Sequence, residues 1–127
     1  MATVTQCDLE RALSSGGATI PIHNRQTLPT IGYMVGGITE SLVLPSDTDL
    51  STIAYMVELF LSDNETLAND RNIYLGTWDD GKGNLHIDLS ENVRDLRDAS
   101  ALMVIRGEIA IWDIANATEI YNPRFTE

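Results

Sequence analysis

Ile73-Tyr74-Leu75-Gly76-Thr77-Trp78, then Asp79-Asp80-Gly81-Lys82-Gly83-Asn84, then Leu85-His86-Ile87-Asp88-Leu89 is the stretch on which the fold turns. Apolar and other residues alternate on both sides of a Gly-rich turn, which spells a β-hairpin. Ile73, Leu75 and Thr77 share one face of the first strand. Leu85, Ile87 and Leu89 share one face of the return strand, leaving His86 and Asp88 opposite.

Downstream, Asp95 stands where an N-cap oxygen is wanted, with Asp98 three residues later. Leu96, Ala99, Leu102 or Met103, and Arg106 follow, and Gly107 ends the helix. Ile109 to Ile114 is apolar on both faces, which suits a central strand. Ala115-Asn116-Ala117 turns, and Glu119-Ile120-Tyr121 adds a short edge strand.

Upstream, Ser46 to Asp49 offers several N-cap oxygens. Leu50, Ile53, Ala54, Val57, Phe60 and Leu61 then form one helical stripe, with Tyr55, Met56 and Leu59 off it. Such a helix is either buried between layers or turned toward a partner. Ser62 to Asn72 is polar, a loop or frayed continuation. Gly32 to Gly37 and then Ser41 to Pro45 read as two short strands around a Gly-Gly bend. Residues 1–30, with Ser14-Ser15-Gly16-Gly17, Pro21 and Pro29, read as a short helix and an irregular arm before a single domain over residues 31–127. The order β-β-α-β-β-α-β implies an α+β fold, a mainly antiparallel sheet of about five strands with two helices on one face.

Bulk chemistry narrows function. The 127 residues carry 19 acids against 8 bases, a net charge of −11. That balance disfavours nucleic-acid backbones and anionic membranes and favours a protein partner with a basic surface. Residues 47–80 hold eight acids and one base, and Glu58, Asp63 and Glu65 are candidates for one negative interaction face. Cys7 is the only cysteine, so neither an internal disulfide nor a cysteine zinc site can form. Without a basic, apolar leader or a membrane-length apolar run, a cytoplasmic setting is expected.

No motif completes a catalytic or cofactor site. Gly76 to Gly83 nearly spells a phosphate-binding loop, but Gly83 replaces the hydroxyl residue and a strand follows. Asp80, Asn84 and Glu91 fall on calcium-loop positions, yet Lys82 and Leu85 break that pattern. Neither His23 nor His86 has the hydroxyl residue two positions on that paired His-x-Thr chemistry needs. His86 and Asp88 share a face and could pair for acid–base or metal chemistry, with Asp113 the one nominee for a third ligand. A solvated sheet face is the commoner reason for such a pair. Tyr74, Trp78 and Trp112 belong on the face opposite Ile73 and Leu75, either as a second core or as the floor of a groove.

The runs Tyr74-Leu75-Gly76-Thr77-Trp78, Leu85 to Ser90, Asp95-Leu96-Arg97-Asp98-Ala99 and Ala110-Ile111-Trp112-Asp113 resemble small uncharacterised proteins encoded by bacteriophages of actinobacteria. Gly32-Tyr33, Val35-Gly36-Gly37 and Ser41-Leu42-Val43 are similar to the upstream part of the same group. The resemblance implies a phage or prophage source and action inside a bacterial host or in a virion. It brings no catalytic residue, ligand or cofactor with it.

Three functions are therefore expected in order. The first is a non-enzymatic protein-interaction factor, one version being a phage counter-defence protein that occupies a basic groove. The second is a self-assembling virion protein, motivated by Tyr55, Met56, Leu59 and a free C-terminal strand edge. The third is a small ligand-binding protein or hydrolase using His86, Asp88 and Asp113.

Overall fold

The hairpin is β4 (Ile73–Asp79) and β5 (Asn84–Val93), paired antiparallel from Ile73 opposite Glu91 to Asp79 opposite Leu85. A computed structural model describes residues 2–125 of the chain. Around the hairpin the remaining elements are α1 (Gln6–Ser14), β1 (Gly17–Ile20), β2 (Tyr33–Val35), β3 (Leu42–Pro45), α2 (Leu50–Asp63), α3 (Glu65–Ala68), α4 (Leu96–Arg106), β6 (Ala110–Asp113) and β7 (Thr118–Tyr121). The fold is α+β, as expected, with one antiparallel sheet of seven strands rather than about five.

Its path is β1-β4-β5-β2-β6-β7, and β3 also pairs with β5. β5 is long enough to carry two neighbours in tandem on one edge: β3 along Asn84 to Ile87 and β2 along Glu91 to Val93. The two short strands expected around the Gly-Gly bend are present, but β2 and β3 pair with β5 and not with each other. Between them, residues 88–90 of β5 have no strand on that side. β6 is central and β7 is an edge, as their composition suggested.

The first thirty residues are not all irregular beyond the expected short helix: they also hold a strand, and residues 21–30 alone stay irregular after it. α1 forms where expected, with the Thr5 hydroxyl accepting from the Asp8 amide. β1 then pairs with β4, Ile20 opposite Leu75. Gln26 holds the following segment down, accepting from the Ile22 amide and donating to the Arg71 and Ile73 carbonyls.

Register fixes which residues share a face. Ile73 lies opposite Glu91, Glu91 opposite Val35, and Tyr33 opposite Asp113. On this face α1 and α2 cover Ile73, Leu75, Leu85, Ile87 and Leu89, burying Leu9, Ile53, Val57 and Leu61 against them. α4 covers Val35 and Ile111 with Ala99 and Met103. All the major helices thus lie on one side, α1 joining the two that were expected. Asp95 caps α4 by accepting from the Asp98 amide, and Gly107 closes it in the left-handed region. The off-stripe Tyr55 and Leu59 of α2 are exposed, so that helix has solvent behind it and no second layer.

Candidate site on the open face of the sheet

Among the described residues, α1, α2 and α4 all pack on the first face and leave the other face of the sheet uncovered by them. Trp78 lies opposite His86, Gly76 opposite Asp88 and Tyr74 opposite Ser90. Met34 lies opposite Trp112, and Trp112 opposite Glu119. Residues of β1, β2, β4, β5, β6 and β7 line one groove of about 390 Å³, so the sheet curls around its uncovered side. Trp78 is 49% and Trp112 40% exposed, so they wall a groove and do not form a second core. Tyr74 behaves differently: it is buried, its hydroxyl donating to the Thr27 carbonyl at 3.2 Å.

Asp88 occupies the floor. A Cβ at Gly76 would lie 2.5 Å from one of its carboxylate oxygens, and a Cβ at Gly36 would lie 2.5 Å from the other. Only residues without a side chain leave room there for the carboxylate. The same Cβ at Gly36 would lie 3.0 Å from Glu108 Oε1, so the two carboxylates meet over one glycine. Arg106 fixes that glycine, donating to its carbonyl at 3.2 Å while its other nitrogen bonds Glu91 at 2.7 Å. The Glu108 backbone is fixed too: its amide donates to the Met103 carbonyl and its carbonyl accepts from Asn122.

Burial, and then the neighbouring Glu108, push the Asp88 carboxyl up to about 7, against a smaller pull from His86. Burial also raises Glu108, with Arg106 opposing. The Ser90 hydroxyl, two residues along the same face from Asp88, is buried with no hydrogen-bond partner. Three carboxylates line the groove (Asp88, Glu108 and Glu119), and no lysine or arginine does.

His86 and Asp88 do share this face, as expected, but they do not form a dyad. The His86 ring turns to Asp80, Nε2 to Oδ2 3.0 Å, and packs on Trp78 with ring centroids 5.0 Å apart. His86, followed by the Lys82 amide, holds the Asp80 carboxyl well below its usual range. Asp113 is not brought to the pair. It faces the helical side, buried, and accepts from the Asn116 amide at 3.4 Å and the Asn116 side chain at 2.7 Å to shape the β6–β7 turn. Among the described residues, no three His, Cys, Asp or Glu side chains are grouped to hold a metal ion.

Glu58, Asp63 and Glu65 are all exposed. Glu58 and Glu65 line a second hollow of about 710 Å³, between α2 and the segment before α1, while Asp63 is not part of it. That hollow is larger than the sheet groove but holds no buried, unpartnered polar group. The sheet groove is the better candidate because the Ser90 hydroxyl in it is buried without a partner beside half-buried carboxylates. Glu108, Ser90 and Glu119 join the site without having been singled out in the sequence.

No helix of the described residues is long and apolar enough to cross a membrane. No protein-family model, curated protein or solved structure matches the chain.

Proposed function

We propose that this chain is a small acidic, non-enzymatic interaction factor that binds a basic protein partner through the open face of its sheet. The observation that carries the reading is the groove itself: two exposed tryptophans beside partly buried carboxylates, with no lysine or arginine in its lining. Aromatic side chains in a half-buried hollow are typical anchors of protein interfaces. A carboxylate drawn out of water favours a ligand that brings positive charge or donors. The resemblance to phage proteins extends the proposal to a phage-encoded factor acting in a host cytoplasm on a host or phage protein, counter-defence being one such role.

Capture from an actinobacterial lysate tests the groove when wild type is run beside two variants. A partner retained by wild type and by the Glu58→Ser, Asp63→Ser, Glu65→Ser triple variant, released by high salt and lost from Trp78→Ala, Trp112→Ala, supports it. Retention by the double tryptophan variant contradicts it.

A second reading is self-assembly, favoured by one separate observation. β7 is an edge strand, and exposed Ile109, Tyr121 and Phe125 lie on or beside it. Unpaired edges with apolar neighbours invite strand pairing between copies. Sedimentation at micromolar concentration decides: a dimer abolished by Ile109→Lys supports this reading, and a monomer removes it.

A further inference from the structure

Resting on the groove reading above, we infer that the open face recognises a guanidinium group, the side chain of an arginine in a basic segment of the partner. Four independent features of the groove converge on that chemistry.

The first is charge. Asp88, Glu108 and Glu119 line the groove with no lysine or arginine, and Arg106, the cation that acts on Glu108, is committed to Glu91 and the Gly36 carbonyl. The second is unused hydrogen-bonding capacity. Burial and neighbouring charges perturb Asp88 and Glu108, and among the described residues no hydrogen bond reaches either carboxylate. The Ser90 hydroxyl on the same face is also unpartnered, with the residue 6% exposed. The third is the walls. Indole faces attract cations, and Trp78, in tilted contact with the His86 ring, keeps half its surface open.

The fourth feature is the disposition of the carboxylates, which selects guanidinium over ammonium. Asp88 and Glu108 approach one point above Gly36 from different elements, β5 and the α4–β6 connection. A planar fork of donors can engage two such acceptors while its flat face stacks on an indole. An ammonium is more strongly hydrated and loses more on entering a half-buried groove.

The test titrates the full chain with capped Gly-Arg-Gly, its citrulline isostere and its lysine counterpart, followed by tryptophan fluorescence. Citrulline keeps the shape and removes the charge, so no variant need fold. The arginine peptide is expected to bind about tenfold more tightly than the citrulline peptide, with lysine between them and the preference lost in Glu108→Gln. Equal binding of arginine and citrulline, or of arginine and lysine, overturns the inference and leaves the groove reading standing. Absence of arginine binding, while partner capture still depends on Trp78 and Trp112, also overturns it alone. Capture indifferent to both tryptophans overturns the groove reading itself.

Discussion

Asp88 and Glu108, twenty residues apart in sequence, bring their carboxylates together over the backbone of Gly36, where one added methyl group would touch both. Two acids in one partly buried place repel each other and lose hydration. The fold keeps them there because β5 has no strand beside Asp88 on its β2 and β3 side and because Arg106 ties Gly36 to the end of α4.

Removing the space should therefore remove the site. Gly76→Ala forces a Cβ against Asp88, and overpacking of this kind costs about 1–3 kcal/mol. Urea unfolding should show that loss, with partial recovery in the Gly76→Ala, Asp88→Ala double variant. Strict additivity of the two changes would mean that they do not meet.

Stability should depend on pH with an unusual sign. Asp88 titrates at about 7 in the folded chain against 3.8 in its absence of structure, so the folded state holds an extra proton between those values. Stability then falls as pH rises through that window and levels off above it, by about 2–4 kcal/mol in total. Asp80, held low, acts with the opposite sign but only below its unfolded value of 3.8. Denaturation of wild type and Asp88→Asn from pH 4.5 to 8 checks this. The variant should lose most of the slope, and an equal slope in both would contradict the placement of Asp88.

Binding should have the reverse dependence. A cation requires Asp88 and Glu108 ionised, so affinity for the arginine peptide should drop as pH is lowered through 7, with His86 and Glu119 as the other titratable groups in the groove. Affinity that is flat or rises on acidification would exclude direct contact with this carboxylate pair.

The tryptophans and Asp113 should separate binding from folding. Trp112→Ala removes a side chain that is already 40% exposed, so its stability cost should stay near about 1 kcal/mol while peptide binding is lost. Asp113→Ala should cost about 1–2 kcal/mol through its two bonds to Asn116 and leave binding intact. The opposite pattern would restore Asp113 to the site.

The N-terminal segment should prove integral. Leu9, Ile20 and Ile22 are almost fully buried, each contributing about 1.5–3 kcal/mol by burial. Deleting residues 1–22 should abolish cooperative unfolding by circular dichroism. A retained sharp transition would return these residues to the status of an arm.

Local pattern made the hairpin, the α4 caps and the central and edge strands of the C-terminal half readable, because alternation and capping residues lie close together in sequence. β1 was hidden: Gly17-Ala18-Thr19-Ile20 follows a Gly-Ser run and becomes a strand only by pairing with β4. β2 and β3 were visible as strands, but nothing local says that both belong to β5. Of the site, the shared face of His86 and Asp88 and the common face of Trp78 and Trp112 follow from period two, but the exposure of the tryptophans does not. Glu108 does not, since an acid after a helix-ending glycine looks like ordinary solvated surface. Asp113 was misplaced because its face depends on the β2–β6 register, Tyr33 opposite Asp113, which no short-range signal reveals.

The chain has two tryptophans, and both stand in the groove, so its two indole N–H resonances report on that surface directly. Nitrogen-15 spectra recorded while the captured basic partner is added give the most direct reading of where it sits. Movement of both indole signals, together with the amides of Asp88 and Glu108, is the expected result. Shifts confined to α2 around Glu58 and Glu65, with both indoles unmoved, would place the interface on the acidic helix and contradict binding through the sheet.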